Sequence, residues 1–179
     1  QKKSIGWING NWGDSSQLKI PINDRGLNFG DGIFETIYIE NGKLYLLEEH
    51  LERWHKSSTI LHMAPPPKKK ILVPILQEAI LKASLTNKTG AVRINWSRGM
   101  NLNRGIDINQ QDITGSLYNF WIEVNEIELC FKSITTMLNI REKRNSESQL
   151  SQCKTFNYIQ SIVTRTEAQV KGYDDALIL

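Results

Sequence analysis

The chain has 179 residues, of which 40% are hydrophobic and 23% charged, with a formal net charge of +3. It is long enough to bury a core in one domain or two small lobes. The weak, scattered basic excess argues against nucleic-acid binding, which needs a stronger excess on one face. No apolar run approaches the roughly 20 residues of a membrane span. Cys130 and Cys153 show neither metal spacing nor a disulfide framework, so we expect a cytoplasmic protein.

The first part of the chain is predicted to consist mostly of strands and turns. Asn9-Gly10 and Asn41-Gly42 are hairpin signals, because tight hairpin turns need positive φ angles. The Gly- and Asp-rich residues 23–32 predict a loop. Runs of β-branched and aromatic residues predict strands over residues 5–8, 11–12, 18–20, 33–40 and 44–47.

The remaining residues mix helices with strands. Apolar spacing predicts helices over residues 48–62, 68–83 and 156–170. Strands are predicted over residues 91–96, 116–124, 132–140 and 176–179, with loops over 98–112 and 142–152. The pattern indicates an α+β fold with two lobes: a small N-terminal α/β lobe over residues 1–115 and the start of a larger lobe over 116–179. The last predicted strand stops without a partner, so it is either an edge strand or the end of a fragment, and we expect a fragment of a longer protein.

Lys154 is the strongest candidate for covalent chemistry. It lies between a polar loop and the predicted helix 156–170. A lysine that is buried at a helix N-terminus has a lowered pKa, and the neutral amine is the form that attacks a carbonyl. The alternative is a solvated loop lysine, which is the commoner state of this residue type.

Several arginines could bind anions. Arg53 lies on the helix 48–62, where the alternative is a surface ion pair with Glu49. Arg98 and Arg104 flank a loop after a strand, and guanidinium groups suit carboxylates and phosphates. Glu35 on its strand could be a buried ion-pair partner. His55 and His62 are two turns apart rather than one, so no metal site is predicted.

Four ordered segments carry a resemblance to a known family. They are DRGLNFGDGIFET at 24–36, LEEHLERW at 47–54, WSRG with NRG within 96–105, and KTFNY with GYDDAL within 154–177. Together they resemble the class IV aminotransferases, enzymes of fold type IV that use pyridoxal 5′-phosphate. Four blocks in one order are far more specific than a single motif.

The resemblance implies roles for the cofactor site. Lys154 would bind the cofactor aldehyde and move protons. Arg53 would hold the cofactor phosphate, and Tyr158 would lie near the phenolic oxygen of the cofactor. Family members continue beyond residue 179, and the additional part would hold the glutamate that pairs with the pyridine nitrogen.

The resemblance also implies a substrate pocket. Arg104 would hold a substrate carboxylate, with Arg98 as the weaker candidate. Period-two alternation places three of the expected wall residues on one face of a strand. The expected wall residues are Phe29, Phe34, Thr36 and Tyr38. A homodimer binding a small amino-acid or aminodeoxychorismate substrate is implied as well.

Within the family, Thr36 and the Asn103-Arg104-Gly105 run are most similar to 4-amino-4-deoxychorismate lyases, which release pyruvate and 4-aminobenzoate. A transaminase of branched-chain or D-amino acids is the alternative enzyme. The D-amino-acid type carries a histidine soon after its loop arginine, where this chain has Ile106 and Asp107. The alternatives that are not enzymes are a non-catalytic remnant of the family and a small anion-binding protein.

Overall fold

The computed structural model describes residues 4–102, 105–109 and 113–179. Its strands are β1 (Ile5–Ile8), β2 (Asn11–Asp14), β3 (Gly32–Glu40), β4 (Lys43–Leu44), β5 (Thr89–Ser97), β6 (Asn119–Glu126), β7 (Thr136–Asn139) and β8 (Asp175–Ile178). Its helices are α1 (Arg25–Phe29), α2 (Leu47–Ile60), α3 (Lys69–Lys82) and α4 (Ile159–Val170), with a 3₁₀ turn at Gln149–Gln152. No helix within these residues is both long and apolar enough to cross a bilayer.

Six strands form one antiparallel sheet in the order β2-β1-β6-β5-β3-β4. One face of this sheet packs with α2 and α3 around the main hydrophobic core. Strand β3 pairs with β5 along its whole length but with β4 only at Ile39 and Glu40. The edge of β3 from Gly32 to Ile37 is therefore left open by β4.

Both hairpin signals are confirmed. Asn9 and Gly10 have φ angles of 44° and 99°, and Asn41 and Gly42 have φ angles of 48° and 74°. The two pairs join β1 to β2 and β3 to β4. Positive φ at both central residues gives the turn twist that matches antiparallel strands.

The first sheet extends further along the chain than the predicted boundary at residue 115. Strand β6 lies between β1 and β5, so residues up to Glu126 belong to the first layer. Strands β7 and β8 form a separate parallel pair against which α4 packs. Local pattern does not reveal the pairing of β6 with β1, because the two strands are distant in sequence. The division into two lobes at residue 115 stays a prediction.

Several predicted elements differ from the structure. Residues 18–20 form no strand, and the predicted return strand 44–47 is reduced to β4 because α2 already begins at Leu47. The predicted strand 132–140 is limited to β7. The predicted loop 23–32 contains α1, whose first turn is capped by the Asp24 carboxylate through bonds from the Gly26 and Leu27 amides.

Candidate cofactor and substrate site

The segment containing Lys154 adds a short stretch of pairing to the open edge of β3. The Phe34 amide donates to the Lys154 carbonyl at 3.0 Å, and the Phe156 amide donates to the Gly32 carbonyl at 2.9 Å. Helix α4 begins at Ile159, not at residue 156 as predicted. Lys154 is thus positioned by backbone bonds to a sheet, and the expectation that a helix N-terminus tunes its amine does not apply.

The Lys154 amine lies among aromatic side chains. Its Nζ donates to the Tyr158 hydroxyl at 3.1 Å and lies 4.6 Å from the centre of the Phe34 ring. The Tyr158 and Phe34 rings are 5.4 Å apart. Lys154 itself is half-buried. The structure therefore brings together three residues that the sequence places in the cofactor and substrate sites.

A cavity of about 610 Å³ opens beside this amine, within the usual range for small-ligand sites. Arg53 and Arg144 supply cationic groups to its lining, and hydroxyl and amide side chains supply most of the rest. The lining includes Arg53, Arg144, Asn145, Ser148, Ser151, Lys154, Asn157 and Tyr158. Arg144 was not among the residues that the sequence predicted for a site.

Arg53 reaches the cavity from α2 and is held by Glu35. Its Nε and Nη2 each donate to one oxygen of the Glu35 carboxylate, both at 2.6 Å. The hydrogen bond to Glu35 raises the pKa of Arg53. The prediction that Glu35 is a buried ion-pair partner is confirmed, whereas the alternative pairing of Arg53 with Glu49 does not appear among the ion pairs of the described residues.

The face of β3 opposite the helices carries the predicted wall residues. Phe34 is buried, while Thr36 is exposed and lies across from Arg93 of β5. The Arg93 guanidinium lies 3.5 Å from the centre of the Phe34 ring. Partial burial lowers the pKa of Arg93. Tyr38, farther along this face, contacts the ring of Tyr45 at 5.6 Å.

Arg93 was missed by sequence reasoning although a signal existed. In β5 the buried Val92 and Ile94 alternate with Arg93, whose side chain must then project from the opposite face. On that face it joins Phe34 and Thr36. An arginine between two buried aliphatic residues of a strand is a useful marker of a polar site on the opposite face.

Arg98 is not available to hold a substrate carboxylate. Its side chain is 3% exposed, and its Nε donates to Asp31 at 2.8 Å. Its terminal nitrogens donate to the carbonyls of Leu61 and His62 at 2.9 and 3.0 Å. These carbonyls follow α2, so Arg98 closes the C-terminal end of that helix.

The other predicted substrate residues have different outcomes. Phe29 is exposed on α1, with its ring 5.3 Å from the Arg25 guanidinium. Arg104 lies outside the described residues, as does Asn103 of the same predicted loop. Ile106 and Asp107 are tied to α1, since Arg25 donates to both of their carbonyls.

Comparisons with known proteins agree with this geometry. The family model "Amino-transferase class IV" matches residues 32–179. A Methanocaldococcus jannaschii protein, provisionally named branched-chain-amino-acid aminotransferase, is 25% identical over 97% of this chain and 58% of its own length. A D-alanine aminotransferase of Staphylococcus aureus is 33% identical over 52% of this chain and 33% of its own length. The chain thus spans less than two thirds of these relatives.

Solved structures show the same fold. The branched-chain amino acid aminotransferase of Escherichia coli superposes with a TM-score of 0.84 at 19% identity, over 99% of this chain and 60% of that one. A Legionella pneumophila protein, provisionally named 4-amino-4-deoxychorismate lyase, gives a TM-score of 0.78 at 24% identity over 92% and 58%. The fold is therefore that of fold-type-IV enzymes, and the chain belongs to the class IV aminotransferase family, whose cofactor is pyridoxal 5′-phosphate.

Proposed function

We propose that the full-length protein uses pyridoxal 5′-phosphate to cleave 4-amino-4-deoxychorismate into pyruvate and 4-aminobenzoate. The observation that carries the proposal is the group formed by Lys154, Phe34, Thr36 and Arg93 on one face of the sheet edge. Lys154 Nζ and the Arg93 guanidinium both flank the Phe34 ring, at 4.6 and 3.5 Å from its centre. A ligand that stacks on the Phe34 ring could therefore contact the Lys154 amine and the Arg93 guanidinium at the same time.

The donors around the 610 Å³ cavity fit this cofactor. Lys154 would form the covalent link to the aldehyde, and Tyr158 would donate to the phenolic oxygen. Arg53 and the hydroxyl groups of the lining would hold the phosphate. When bound, pyridoxal phosphate supplies a ring that accepts the electron pair released at the carbon bearing the substrate amine.

Lys154 is the group that can move the proton in this reaction. With the cofactor and substrate bound, the free amine of Lys154 would take the proton from the carbon that bears the amino group. The bond between the neighbouring ring carbon and the enolpyruvyl oxygen then breaks. The released enol becomes pyruvate and the ring becomes aromatic, so all atoms of the substrate appear in the two products.

The pair formed by Arg93 and Thr36 supports the lyase substrate over simple amino acids. These residues face each other across β3 and β5 and lie on the same side as Phe34. The ring carboxylate of aminodeoxychorismate lies far from its amino group and could accept from Arg93. Leucine and D-alanine carry their carboxylate only on the carbon that bears the amino group, so with them Arg93 would have to bind a carboxylate next to the reacting amine rather than one across a ring.

The covalent role of Lys154 has a direct test. Borohydride treatment of the full-length protein with its cofactor should attach the pyridoxyl group to the peptide that contains Lys154, because this amine lines the cavity. Peptide mapping by mass spectrometry identifies the position. A label on Lys132 or Lys171 would overturn the assignment, and a protein without cofactor absorption would favour the non-catalytic remnant.

The substrate assignment is tested by following products. We expect the enzyme to release pyruvate and 4-aminobenzoate in equal amounts from 4-amino-4-deoxychorismate. The names of the archaeal and staphylococcal relatives favour the second candidate, a transaminase of branched-chain or D-amino acids. Transfer of the amino group from leucine or D-alanine to 2-oxoglutarate, with no pyruvate from aminodeoxychorismate, would establish that candidate instead.

A further inference from the structure

Glu35 is a charged residue in a row of apolar ones. On the core-facing side of β3 it lies between Ile33 and Ile37, and all three residues are 0% exposed. A carboxylate buried there costs several kcal/mol in desolvation, and a hydrophobic residue of similar size is often as stable or more stable. Core stability alone therefore gives little reason for a glutamate at this position.

The partners of Glu35 connect it to the cavity. Arg53 grips the carboxylate through Nε and Nη2, both at 2.6 Å, while the Arg53 side chain remains 51% exposed. His50 Nδ1 lies 2.8 Å from the same Oε2 that accepts from Arg53 Nη2. Since a carboxylate can only accept, the His50 proton lies on Nδ1. A buried anion thus fixes a cation that lines the cavity beside Lys154.

The two bonds to Glu35 use the Nε and Nη2 edge of the Arg53 guanidinium and leave Nη1 for a ligand. Among the described residues, no hydrogen bond engages Arg53 Nη1. A free arginine side chain carries about 2 kcal/mol of rotamer entropy, which a ligand must overcome when it immobilises the group. With Glu35 in place, that ordering has already occurred before a ligand arrives.

Two effects of Glu35 oppose each other. Its negative charge weakens the attraction of Arg53 for an anion, whereas its two short bonds fix the guanidinium plane. The carboxylate lies on the core side of Arg53, whereas a ligand would lie in the cavity on the exposed side. The two anions would then bind opposite edges of one guanidinium, so their mutual repulsion is reduced by distance and by solvent.

We propose that Glu35, supported by His50, is a positioning residue that orients Arg53 toward the phosphate of the cofactor. This inference rests on the proposed function, because it takes the cavity to be the pyridoxal phosphate site. Glu35 contacts neither cofactor nor substrate; it acts through Arg53. The discrimination between pyridoxal phosphate and pyridoxal, which lacks the phosphate, should therefore depend on Glu35.

The test uses the full-length apoprotein and its Glu35→Leu variant, with Glu35→Gln as the second variant. The dissociation constants of pyridoxal phosphate and pyridoxal are measured for each. We expect pyridoxal phosphate to bind at least about tenfold more weakly in both variants, as loss of bonds to a charged group implies. Pyridoxal affinity should stay within about twofold, and the melting temperature of Glu35→Leu should not fall, since an apolar residue suits the row.

A double-mutant cycle with Arg53→Ala separates positioning from general damage. If Glu35 acts only through Arg53, then Glu35→Gln should not change the preference for the phosphorylated ligand further in the Arg53→Ala background. Equal weakening of both ligands, unchanged binding of pyridoxal phosphate, or tighter binding of it would each overturn the inference. A wild-type protein that binds no pyridoxal phosphate would instead refute the proposed function.

Discussion

Replacing Arg98 with methionine is expected to lower the free energy of unfolding by about 2–4 kcal/mol, because two backbone carbonyls lose their donor and each such loss costs about 1–3 kcal/mol. The Arg98 side chain is 3% exposed, and its guanidinium donates to Asp31, Tyr118 and the two carbonyls that follow α2. Methionine fills part of the volume but leaves both carbonyls without their donor. Asp31 keeps its bond to Arg25 at 2.8 Å, so no buried carboxylate is left unpaired.

The midpoint of chemical denaturation, measured at one protein concentration, checks this result. Arg93→Met is the matched control, because Arg93 is exposed on the sheet face and its loss should cost less than about 1 kcal/mol. A large loss of stability in Arg98→Met and a small one in Arg93→Met would show that Arg98, and not Arg93, is a structural residue. An Arg98→Met protein of normal stability with a raised substrate KM would support the substrate role implied by the resemblance and contradict this assignment.

The contrast between these arginines shows what local sequence can and cannot reveal. Turn chemistry gave both hairpins, since the φ angles at Asn-Gly depend only on the residues themselves. Alternation along β5 could have identified Arg93 as facing away from the core. The burial of Arg98 depends on Asp31, Leu61 and Tyr118, which are brought together only by the fold. No local pattern distinguishes it from a solvated loop arginine.

The position of Lys154 illustrates the same limit. The sequence singled out this residue and a helix after it, but expected the helix N-terminus to control the amine. In the structure, the segment instead pairs with β3, about 120 residues earlier in the chain. That pairing requires an open strand edge, which exists because β4 is only two residues long. Non-local pairing of the same kind, between β1 and β6, makes β6 part of the first sheet.

Gly32 makes the pairing of this segment possible. A Cβ added at Gly32 would lie 2.2 Å from Cε2 of Phe156 and 2.5 Å from its Cδ2. The ring also lies close to Gly26, where an added Cβ would be 2.8 Å from its Cε2, and its centre is 5.5 Å from that of the Trp121 ring. Phe156 is two residues after Lys154, so a displaced ring would displace the amine.

We therefore expect Gly32→Ala to lower stability by about 1–3 kcal/mol through overpacking and to weaken pyridoxal phosphate binding by at least about tenfold. Gly13→Ala is the matched control, since it adds the same methyl group in a strand where the nearest atom is the flexible Leu18 side chain at 3.1 Å. Denaturation midpoints and cofactor titrations measure both effects. Adding Phe156→Leu to Gly32→Ala should restore much of the cofactor affinity, because the smaller side chain removes the clash. Wild-type cofactor binding by Gly32→Ala alone would show that Lys154 does not depend on this contact.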